Sequence, residues 1–374
     1  MISYVIPHRD RPESLALVLD RLASLGDHAP VGGAEVIVVD NASARIPRVP
    51  DRLPSGVRVR LLERPTNAGA AARNSGARAA DPASDWLVML DDDSHPIDDA
   101  FLERLRLAPG DAGALSADIH LPLQSRREDG GLPEVFVGCG VAIRRDLFLA
   151  LGGYDASFGY YAEEYDLAAR ILLAGRRIVF EPCFRVAHLK ARQGRDFNVI
   201  LSRLVRNNAW IAERYAPDSR LPGERREVLR RYLAIAHREN AIDGFRRGLA
   251  ELRATRRLQP RSPMNPAIFE RFVGLEHARN ALAAQLQGSG IRTAALVDEG
   301  KNAWVVASVL VEAGIRIVPD ARGADALVIA TMSPGPMIDA MFRRRGSHPR
   351  VLVPWLPALA MRDVSLARHA PLAA

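Results

Sequence analysis

The sequence is poor in cysteine, poor in lysine and free of long apolar runs. Cys139 and Cys183 are its only cysteines, too few for a disulfide framework and in keeping with a reducing compartment. No run approaches the roughly 20 apolar residues that a membrane-spanning helix requires, and no basic region followed by an apolar core opens the chain. We therefore expect a cytoplasmic protein without disulfides or membrane-spanning helices.

Positive charge comes almost entirely from arginine. The chain carries 51 basic and 44 acidic residues, with a net charge of +7 and a pI near 9.9, yet Lys190 and Lys301 are its only lysines. Basic surfaces attract nucleic acids and anionic membranes, but no aromatic residues alternate with the arginine runs as single-strand binding requires. We expect no nucleic-acid partner. Runs such as residues 253–257 leave peripheral contact with the inner face of a membrane as an alternative to a solvated helix face.

Length and composition are those of a globular protein with two or three domains. Of the 374 residues, 48% are hydrophobic and 25% are charged. A helical pattern begins at Pro12, and four short apolar runs predict buried strands, at residues 4–7, 35–39, 57–62 and 86–90. This alternation predicts an α/β domain with a mostly parallel sheet, which we place at residues 1–215. A helical connector follows at 216–288.

The most informative stretch is the acid triplet Asp91, Asp92 and Asp93, which ends the fourth predicted strand. Ligands of parallel sheets bind beyond the carboxyl ends of the strands. Three adjacent carboxylates repel one another, and a hard cation such as Mg²⁺ or Mn²⁺ would make the triplet tolerable while also gripping substrate phosphates. The alternative is a solvated acidic turn that caps the next helix.

Other polar residues follow the neighbouring predicted strands. His8 comes after the first strand, Asp40 ends the second, and Arg73 lies in a small-residue helix. Asp40 could accept hydrogen bonds from a base or a ribose, and Arg73 could pair with phosphate oxygens. Each has an ordinary alternative, as a turn residue or a surface helix residue. Their positions predict that they gather at one edge of the sheet.

A second acidic cluster opens a helix with Glu163, Glu164 and Asp166. Such a carboxylate could remove the proton from an attacking hydroxyl, although acids in a first helical turn are favoured by the helix dipole regardless of function. Helical spacing predicts that Glu163 and Asp166 share a face while Glu164 points elsewhere. His188 follows a predicted edge strand that starts at residue 177, and it could be a metal ligand together with Asp93 or a structural histidine.

In their order and spacing, these motifs resemble the family 2 glycosyltransferases, an inverting group with the GT-A fold, over roughly residues 1–210. The matching segments are Val5-Ile6-Pro7, Val38-Val39-Asp40-Asn41-Ala42-Ser43, Asn67-Ala68-Gly69, Ala72-Arg73-Asn74, Leu90-Asp91-Asp92-Asp93, Gly152-Gly153-Tyr154-Asp155, Glu163-Glu164-Tyr165-Asp166-Leu167 and His188. The resemblance implies a metal-dependent inverting enzyme. It would move one sugar from a nucleotide-sugar donor, a UDP- or dTDP-sugar, to a hydroxyl on a bacterial glycan, a lipid-linked sugar or a glycosylated small molecule.

The resemblance also implies roles for particular residues. Asp93 would ligate Mn²⁺ or Mg²⁺ directly, joined by His188, and Asp91 would contact the ribose or a metal-bound water. Asp40 would contact the nucleobase. The family usually shows Glu-Asp-x-Asp with its second acid as general base, and this chain has Glu164 there, with Glu163 and Asp166 as alternatives. The expected donor-binding residues are Pro7, His8, Arg9, Asp40, Asn67, Arg73, Asp91 and Asp92.

The rest of the chain predicts a second, smaller Rossmann-like α/β domain at residues 289–374. Its first turn, 297–302, lacks the Gly-x-Gly-x-x-Gly fingerprint of a dinucleotide site. We favour a structural, acceptor-docking or dimerising role over a second ligand site, and homo-oligomerisation stays open. Strands are predicted at 291–297, 315–319, 326–331 and 350–354, and helices at 303–313 and 337–345.

Two other functions are consistent with the same residues. A nucleotidyltransferase also needs paired acids and a metal, and a non-catalytic nucleotide-sugar-binding protein would keep the fold without the reaction. The intact acid triplet and the carboxylate of Glu164 argue against the second. The Gln-x-x-Arg-Trp signature of processive synthases does not occur, so we expect transfer of a single sugar.

Overall fold

The computed structural model of the chain describes residues 1–190 and 196–356. The predicted C-terminal domain, 289–374, therefore extends beyond the described residues. Within them, the strands form one sheet of nine strands and another of four, with helices between most of the strands. The predicted α/β class with a second, smaller sheet is confirmed. No helix of this described part combines the length and the apolar character that crossing a bilayer demands.

The strands of the larger sheet are β1 (Ile2–His8), β2 (Ala34–Asp40), β3 (Arg58–Glu63), β4 (Trp86–Leu90), β5 (Ser94–Pro96), β6 (Ala112–Leu121), β7 (Arg126–Arg127), β8 (Gly140–Arg144) and β9 (Arg177–His188). Their order is β3-β2-β1-β4-β8-β6-β9-β5, with β7 beside β6. The first four strands are parallel, and each was predicted from its apolar run. β1, β2 and β4 are buried along nearly their whole length, as strands covered on both faces must be.

The other half of the larger sheet is mixed. β8 runs antiparallel to both β4 and β6, whereas β9 runs parallel to β6. The segment predicted as an edge strand, which starts at residue 177, pairs only with β6 among the described strands, whereas the last residues of β9, 186–188, also pair with the short β5. The β5–β9 ladder brings Ser94 opposite His188. β6 was not predicted, since its Ala- and Gly-containing sequence gives little apolar signal.

The helices are α1 (Pro12–Ala23), α2 (Arg73–Ala79), α3 (Ala100–Arg106), α4 (Arg145–Ala150), α5 (Glu163–Leu173), α6 (Phe197–Tyr215), α7 (Leu221–Arg238), α8 (Ile242–Thr255), α9 (Pro266–Val273), α10 (Leu275–Leu286), α11 (Ala303–Glu312) and α12 (Pro334–Arg344). The expected connector is thus helical, from α7 to α10, and it is interrupted near the predicted proline-rich break. Gly76 lets α2 approach β1, because a Cβ there would lie 2.5 Å from Val5 Cγ1.

The smaller sheet contains β10 (Thr293–Val297), β11 (Arg316–Ile317), β12 (Ala326–Ile329) and β13 (Val351–Leu352), in the order β11-β10-β12-β13. All its pairs are parallel, and its four strands and two helices confirm the elements predicted for this region. The connections leave β10 and β12, the two central strands, in opposite directions.

One hydrophobic cluster joins the two sheets. It runs from Val5 and Leu87 on one face of the larger sheet to Val328 and Trp355 in the C-terminal unit. A second cluster covers the opposite face of the larger sheet, with Tyr4 among its members. Since buried apolar area is the main source of folding free energy, the C-terminal unit is stabilised by its contact with the N-terminal one.

An ion-pair network adds to this contact. Arg127 in β7 lies between Asp118 in β6, at 2.8 Å, and Asp339 in α12, also at 2.8 Å. The backbone N–H of Arg127 donates to Asp339 as well, at 2.8 Å. Burial alone would raise the pKa of Asp118, but hydrogen bonds and charges from His120 and Arg127 lower it to about 2. Asp339 is thus held by a cation that is itself fixed to the larger sheet.

We expect Asp339→Ala to lower the free energy of unfolding by roughly 1 to 3 kcal/mol, because a largely buried arginine loses a charged partner. Urea or thermal melts measure the change. Asp129→Ala is the matched control, since Asp129 pairs with Arg126 and is 65% exposed, and it should cost less than about 0.5 kcal/mol. Equal losses in the two variants would show that the network contributes nothing special.

Candidate active site

The carboxyl edge of the parallel strands collects the residues predicted to meet there. His8 ends β1 directly beside Asp40, which ends β2. The acid triplet follows β4, the other neighbour of β1. Arg73 opens α2 and reaches the same edge, where it ion-pairs with Asp91. The structure therefore brings His8, Asp40, Arg73 and the acid triplet into one region.

The three acids of the triplet face different partners. Asp92 points into the protein, where its carboxylate lies 3.0 Å from His8 Nδ1 and also pairs with Arg11. The N–H of Arg9 approaches the same carboxylate at 3.4 Å. Asp92 is completely buried, so its contacts hold the loop after β1 and differ from the donor contact that the resemblance implies.

Asp91 is the most accessible acid of the triplet. Its side chain is 33% exposed, and the buried guanidinium of Arg73 pairs with it from behind. Arg73 also donates to the carbonyl of Leu90 at 3.1 Å. The N–H of Asp91 donates to Ser94 Oγ at 2.8 Å, and that hydroxyl donates to the carbonyl of Cys139 at 2.9 Å. The turn of the triplet is thereby fixed to both α2 and the start of β8.

Asp93 meets His188 across the β5–β9 ladder. His188 Nε2 lies 3.4 Å from Asp93 Oδ1, an oxygen that is buried and accepts no hydrogen bond. Asp93 Oδ2 accepts from Arg11 at 2.8 Å. Burial would raise the pKa of Asp93, but the neighbouring His188 and Arg11 hold it below its usual value. The chain thus presents an ionised carboxylate beside an imidazole.

The other side of His188 is equally polar. Its Nδ1 lies 2.9 Å from Glu128 Oε2 and 3.5 Å from Cys139 Sγ, and Lys190 Nζ donates to Glu128 at 2.6 Å. One ligand atom each from Asp91, Cys139 and His188 lie within 4.8 Å of one another. Carboxylate, imidazole and thiol are all metal donors. These residues, with the unsatisfied oxygen of Asp93, fit a divalent metal.

The β2 side of the edge contains a polar loop next to Asp40. Asn41 donates to Asn67 Oδ1 at 2.9 Å, and its own Oδ1 accepts from the N–H of Ala68 at 2.8 Å. Gly69 has φ +60°, and a Cβ there would lie 2.2 Å from the carbonyl oxygen of Gly159. Asp40 Oδ1 is buried and has no hydrogen-bond partner. A buried acceptor of this kind favours a ligand that donates to it.

Two further predicted donor-binding residues lie in β1 and just after it. Pro7 pairs with Val39 within the parallel ladder and is partly buried. The side chain of Arg9 is 50% exposed, and its Nε lies 3.5 Å from Asp10. Arg9 is therefore free to turn toward a ligand at the edge, whereas Pro7 contributes through its position in the strand.

Glu163 and Glu164 open α5 close to each other and to the triplet. Burial, followed by the charge of Glu164, raises the pKa of Glu163 well above its usual value. Burial also raises the pKa of Glu164, while hydrogen bonding and the charge of Arg73 oppose the increase. Glu163 Oε2 has no hydrogen-bond partner, whereas Glu164 Oε1 lies 3.4 Å from the N–H of Gly138. Both carboxyls are candidates for proton transfer.

Asp166 lies on the buried side of α5 together with Glu163, as expected, whereas Glu164 is only partly buried. The partners of Asp166, however, differ from those of the two glutamates. Its carboxylate binds Arg170 at 2.7 Å, Arg214 at 2.8 Å and the hydroxyl of Tyr215 at 2.6 Å. These partners draw Asp166 into the contact between α5 and α6. Its oxygens are satisfied there, so its contacts are those of a residue that orients the helix.

Sequence reasoning missed three residues that complete the site: Arg11, Glu128 and Cys139. Each contacts a triplet acid or His188. Glu128 lies 60 residues from His188, and only the β6–β9 pairing brings them together. Arg11 carried a local signal, because it follows the first strand within the loop that begins at His8.

Residues 3–113 match the family model described as Glycosyl transferase family 2. This match confirms the resemblance drawn from the motifs for the N-terminal region, which contains β1 to β4, Asp40, Arg73 and the acid triplet. The acidic helix α5 and His188 lie after the matched residues.

Individual relatives match different lengths of the chain. A pre-mycofactocin glycosyltransferase of Mycobacterium tuberculosis (strain CDC 1551 / Oshkosh) is 28% identical over 220 residues, which make up 52% of this chain and 44% of that protein. The inactive polypeptide N-acetylgalactosaminyltransferase-like protein 5 of Macaca fascicularis is 30% identical over 98 residues, 25% of this chain and 20% of that protein. The chain thus spans less than half the length of these curated relatives.

Among solved structures, the mannosyltransferase PcManGT from Pyrobaculum calidifontis, in complex with GDP-Man and Mn²⁺, aligns with a TM-score of 0.45 and 20% identity over 76% of this chain and 80% of that one. The crystal structure of GalNAc-T7 with UDP, GalNAc and Mn²⁺ aligns with a TM-score of 0.46 and 16% identity over 58% of this chain and 48% of that one.

We expect Asp92→Ala to lower the free energy of unfolding by roughly 3 kcal/mol, because it leaves the buried His8 without its partner and removes one of the two carboxylates that bind Arg11. Denaturant titration measures this loss. Asp85→Ala serves as the control, since the side chain of Asp85 is 68% exposed and contacts only the N-terminal amine in an ion pair, at 3.4 Å. A loss no larger than that of the control would refute a structural role for Asp92.

Proposed function

We propose that the chain is a metal-dependent inverting glycosyltransferase that moves one sugar from a nucleotide-sugar donor to a hydroxyl acceptor. The observation that carries the proposal is the meeting of Asp91, Asp93 and His188 with the adjacent carboxyls of Glu163 and Glu164 at one edge of the parallel sheet. The family match over residues 3–113 supports the same reaction class.

The donor nucleotide would lie along the carboxyl edge of β1, β2 and β4. Asp40, with its unsatisfied buried oxygen, would accept a hydrogen bond from the base, and Asn67 lies in the adjoining loop. Arg73 and Arg11 already bind the acids of the triplet, and guanidinium groups pair well with diphosphate oxygens. A UDP- or dTDP-sugar fits this arrangement because pyrimidine bases offer an N–H to a carboxylate.

The metal would be held by Asp93, Asp91 and His188, with the Cys139 thiol close by. Carboxylates suit Mg²⁺ and Mn²⁺ alike, but an imidazole suits Mn²⁺ better than Mg²⁺. Glu128, at 2.9 Å from His188 Nδ1, would orient the imidazole as carboxylate partners of metal-binding histidines commonly do. We therefore propose Mn²⁺ as the preferred ion. When bound, it supplies positive charge to the leaving diphosphate.

Glu164 is our proposed general base. It is more accessible to solvent than Glu163. Its charge acts on Arg73, on the nucleotide side of α5, and also on Lys301, on the opposite side. It would take the proton from the acceptor hydroxyl while the oxygen bonds to the anomeric carbon. The nucleoside diphosphate then departs from the other face of the sugar, so the anomeric configuration inverts.

A donor and metal titration tests the first half of this proposal. We expect UDP- or dTDP-sugars with Mn²⁺ to raise the unfolding temperature, since a ligand at 100 times its Kd adds about 2.7 kcal/mol of stability. Asp93→Asn should remove most of the shift that depends on Mn²⁺, and EDTA should do the same to the native protein. Asp111→Asn is the control, because Asp111 is 52% exposed and distant from the triplet.

The products separate the alternatives. Release of a nucleoside diphosphate supports glycosyl transfer, whereas release of pyrophosphate would identify a nucleotidyltransferase. Donor binding with no turnover toward any acceptor or water would favour a non-catalytic binding protein. The absence of any shift with UDP-, dTDP- and GDP-sugars would refute the donor site itself.

The base is tested by substitution and by pH. We expect Glu164→Gln to lower kcat by about 100-fold or more with donor binding unchanged, while Glu103→Gln, at an exposed glutamate, leaves kcat unchanged. The base must be ionised, and its pKa is raised. Activity should therefore fall, as pH decreases, at a pH above the ordinary glutamate pKa of about 4.3. A native pH profile that is flat down to that value would contradict this assignment.

A further inference from the structure

A large cavity lies on the far side of the acidic helix from the donor edge. Its volume is about 920 Å³, near the upper end of ordinary small-molecule sites. It is bounded by helices α6, α7 and α9 and by the carboxyl edge of the smaller sheet. Its lining includes Tyr165, Arg231, Tyr232, Lys301 and Trp304.

The cavity meets the smaller sheet where ligand sites of open α/β sheets usually form. Residues 298–302 follow β10 and residues 331–333 follow β12, and the connections of these adjacent strands leave in opposite directions. Ligands of such sheets bind at this switch point. The backbone is closely packed here, because a Cβ on Gly300 would lie 2.6 Å from Thr331 Oγ1. The two loops that border the cavity are therefore packed against each other.

Two cations face this cavity without a carboxylate partner. Lys301 donates to the hydroxyl of Tyr165, and its Nζ lies 3.9 Å from the centre of that ring. Arg231 lies over the ring of Tyr232, at 6.0 Å. Throughout the described residues, neither cation forms an ion pair with Asp or Glu, whereas Arg343, also in the lining, binds Asp298 at 2.9 Å.

The electrostatics of Lys301 are those of a cation that lacks its anion. Burial lowers the pKa of Lys301 well below its usual value, and the positive charge of Arg231 lowers it further. The charge of Glu164 opposes this effect. An anion between Lys301 and Arg231 would offset both the desolvation of the ammonium and its repulsion by the guanidinium.

The position of Lys301 relates the cavity to the proposed base. Tyr165, which accepts the hydrogen bond from Lys301, directly follows Glu164 at the start of α5. Glu164 does not line the cavity, but its charge acts on Lys301. An acceptor bound at the cations would therefore extend past Tyr165 to reach the proposed base. Donor and acceptor would then approach Glu164 from opposite sides.

We propose that this cavity binds the acceptor, and that the acceptor carries a phosphate or carboxylate group held between Lys301 and Arg231. The proposal rests on the glycosyltransferase function proposed above for the role of the bound molecule. It gives the C-terminal unit a direct part in substrate recognition, because that unit supplies Lys301 and Trp304 to the cavity.

Ligand titrations on matched variants test the proposal. The native protein, Lys301→Gln, Arg231→Gln and Lys301→Arg are titrated with glucose 6-phosphate, glucuronate and uncharged glucose, and the unfolding temperature is followed. Arg226→Gln is the control, since Arg226 is an exposed residue of the same helix, α7, outside the cavity lining. Each variant is also titrated with nucleotide-sugar and Mn²⁺ to show that its donor site is intact.

We expect the native protein to respond to at least one of the two anionic sugars and not to glucose, and the responding sugar identifies the anion as phosphate or carboxylate. Lys301→Gln and Arg231→Gln should require at least about tenfold more ligand than the native protein to reach the same shift in unfolding temperature, as the loss of a charged hydrogen bond implies. Lys301→Arg and Arg226→Gln should stay within about twofold of the native protein. The donor response should be the same in all variants.

Two results would overturn the proposal while leaving the enzyme function intact. One is a normal donor response with no response of the native protein to either anion. The other is equal anion affinity in all the variants. If no nucleotide-sugar shifts the native protein, the proposed function fails and the acceptor role fails with it.

Discussion

Neutralisation of three consecutive carboxylates is the constraint on which the site depends. Asp91 is balanced by Arg73 in α2, and Asp92 by His8 and Arg11 next to β1. Asp93 contacts both Arg11 and the imidazole of His188, at the end of β9. Because the cations come from three separate elements, the triplet can be tolerated only when β1, α2 and β9 are all in place. The fold and the electrostatics of the site therefore specify each other.

The short strand β5 connects the triplet to the end of β9. It begins immediately after the triplet and pairs with the end of β9, so Ser94 faces His188. The N–H of Leu189 then donates to the carbonyl of Asp93 at 2.8 Å. A ladder of only three residues thus links β5 to a histidine almost a hundred residues later in the chain. No other described feature explains the close approach of Asp93 and His188.

Local sequence signals were sufficient for the parallel half of the larger sheet and for the C-terminal unit. Continuous apolar runs mark strands buried on both faces, which is why β1, β2 and β4 were predicted. Pairings between distant elements were not accessible in this way. β6 has little apolar contrast, and the pairing of the last three residues of β9 with β5 joins segments that are distant in sequence.

The candidate site, too, was predictable where local sequence was sufficient and not where distant elements meet. The carboxyl-edge rule predicted the meeting of His8, Asp40, Arg73 and the acid triplet, since it needs only the ends of adjacent strands. Helical spacing placed Glu163 and Asp166 on the same side of α5, but it could not predict their partners. Asp166 binds Arg214 and Tyr215 of α6. Because α6 is distant in sequence, the local pattern around Asp166 gives no indication of this contact.

Helix α5 contacts both the carboxyl edge of the larger sheet and the cavity beside the smaller sheet. Its glutamates lie near Arg73, and its Tyr165 lies against Lys301. The shared hydrophobic cluster and the contact of Arg127 with Asp339 join the two units around this helix. Under the proposed function, donor and acceptor would be recognised by different parts of the chain, and one helix would serve both.

The near-absence of lysine makes these two regions chemically addressable. Apart from the N-terminal amine, the chain has only two primary amines, and one neighbours Glu128 beside His188 while the other faces the cavity. The pKa of Lys301 is lowered by burial and by Arg231. Apart from the N-terminal amine, an amine-directed fluorophore or crosslinker would therefore label only the neighbourhood of His188 and the cavity.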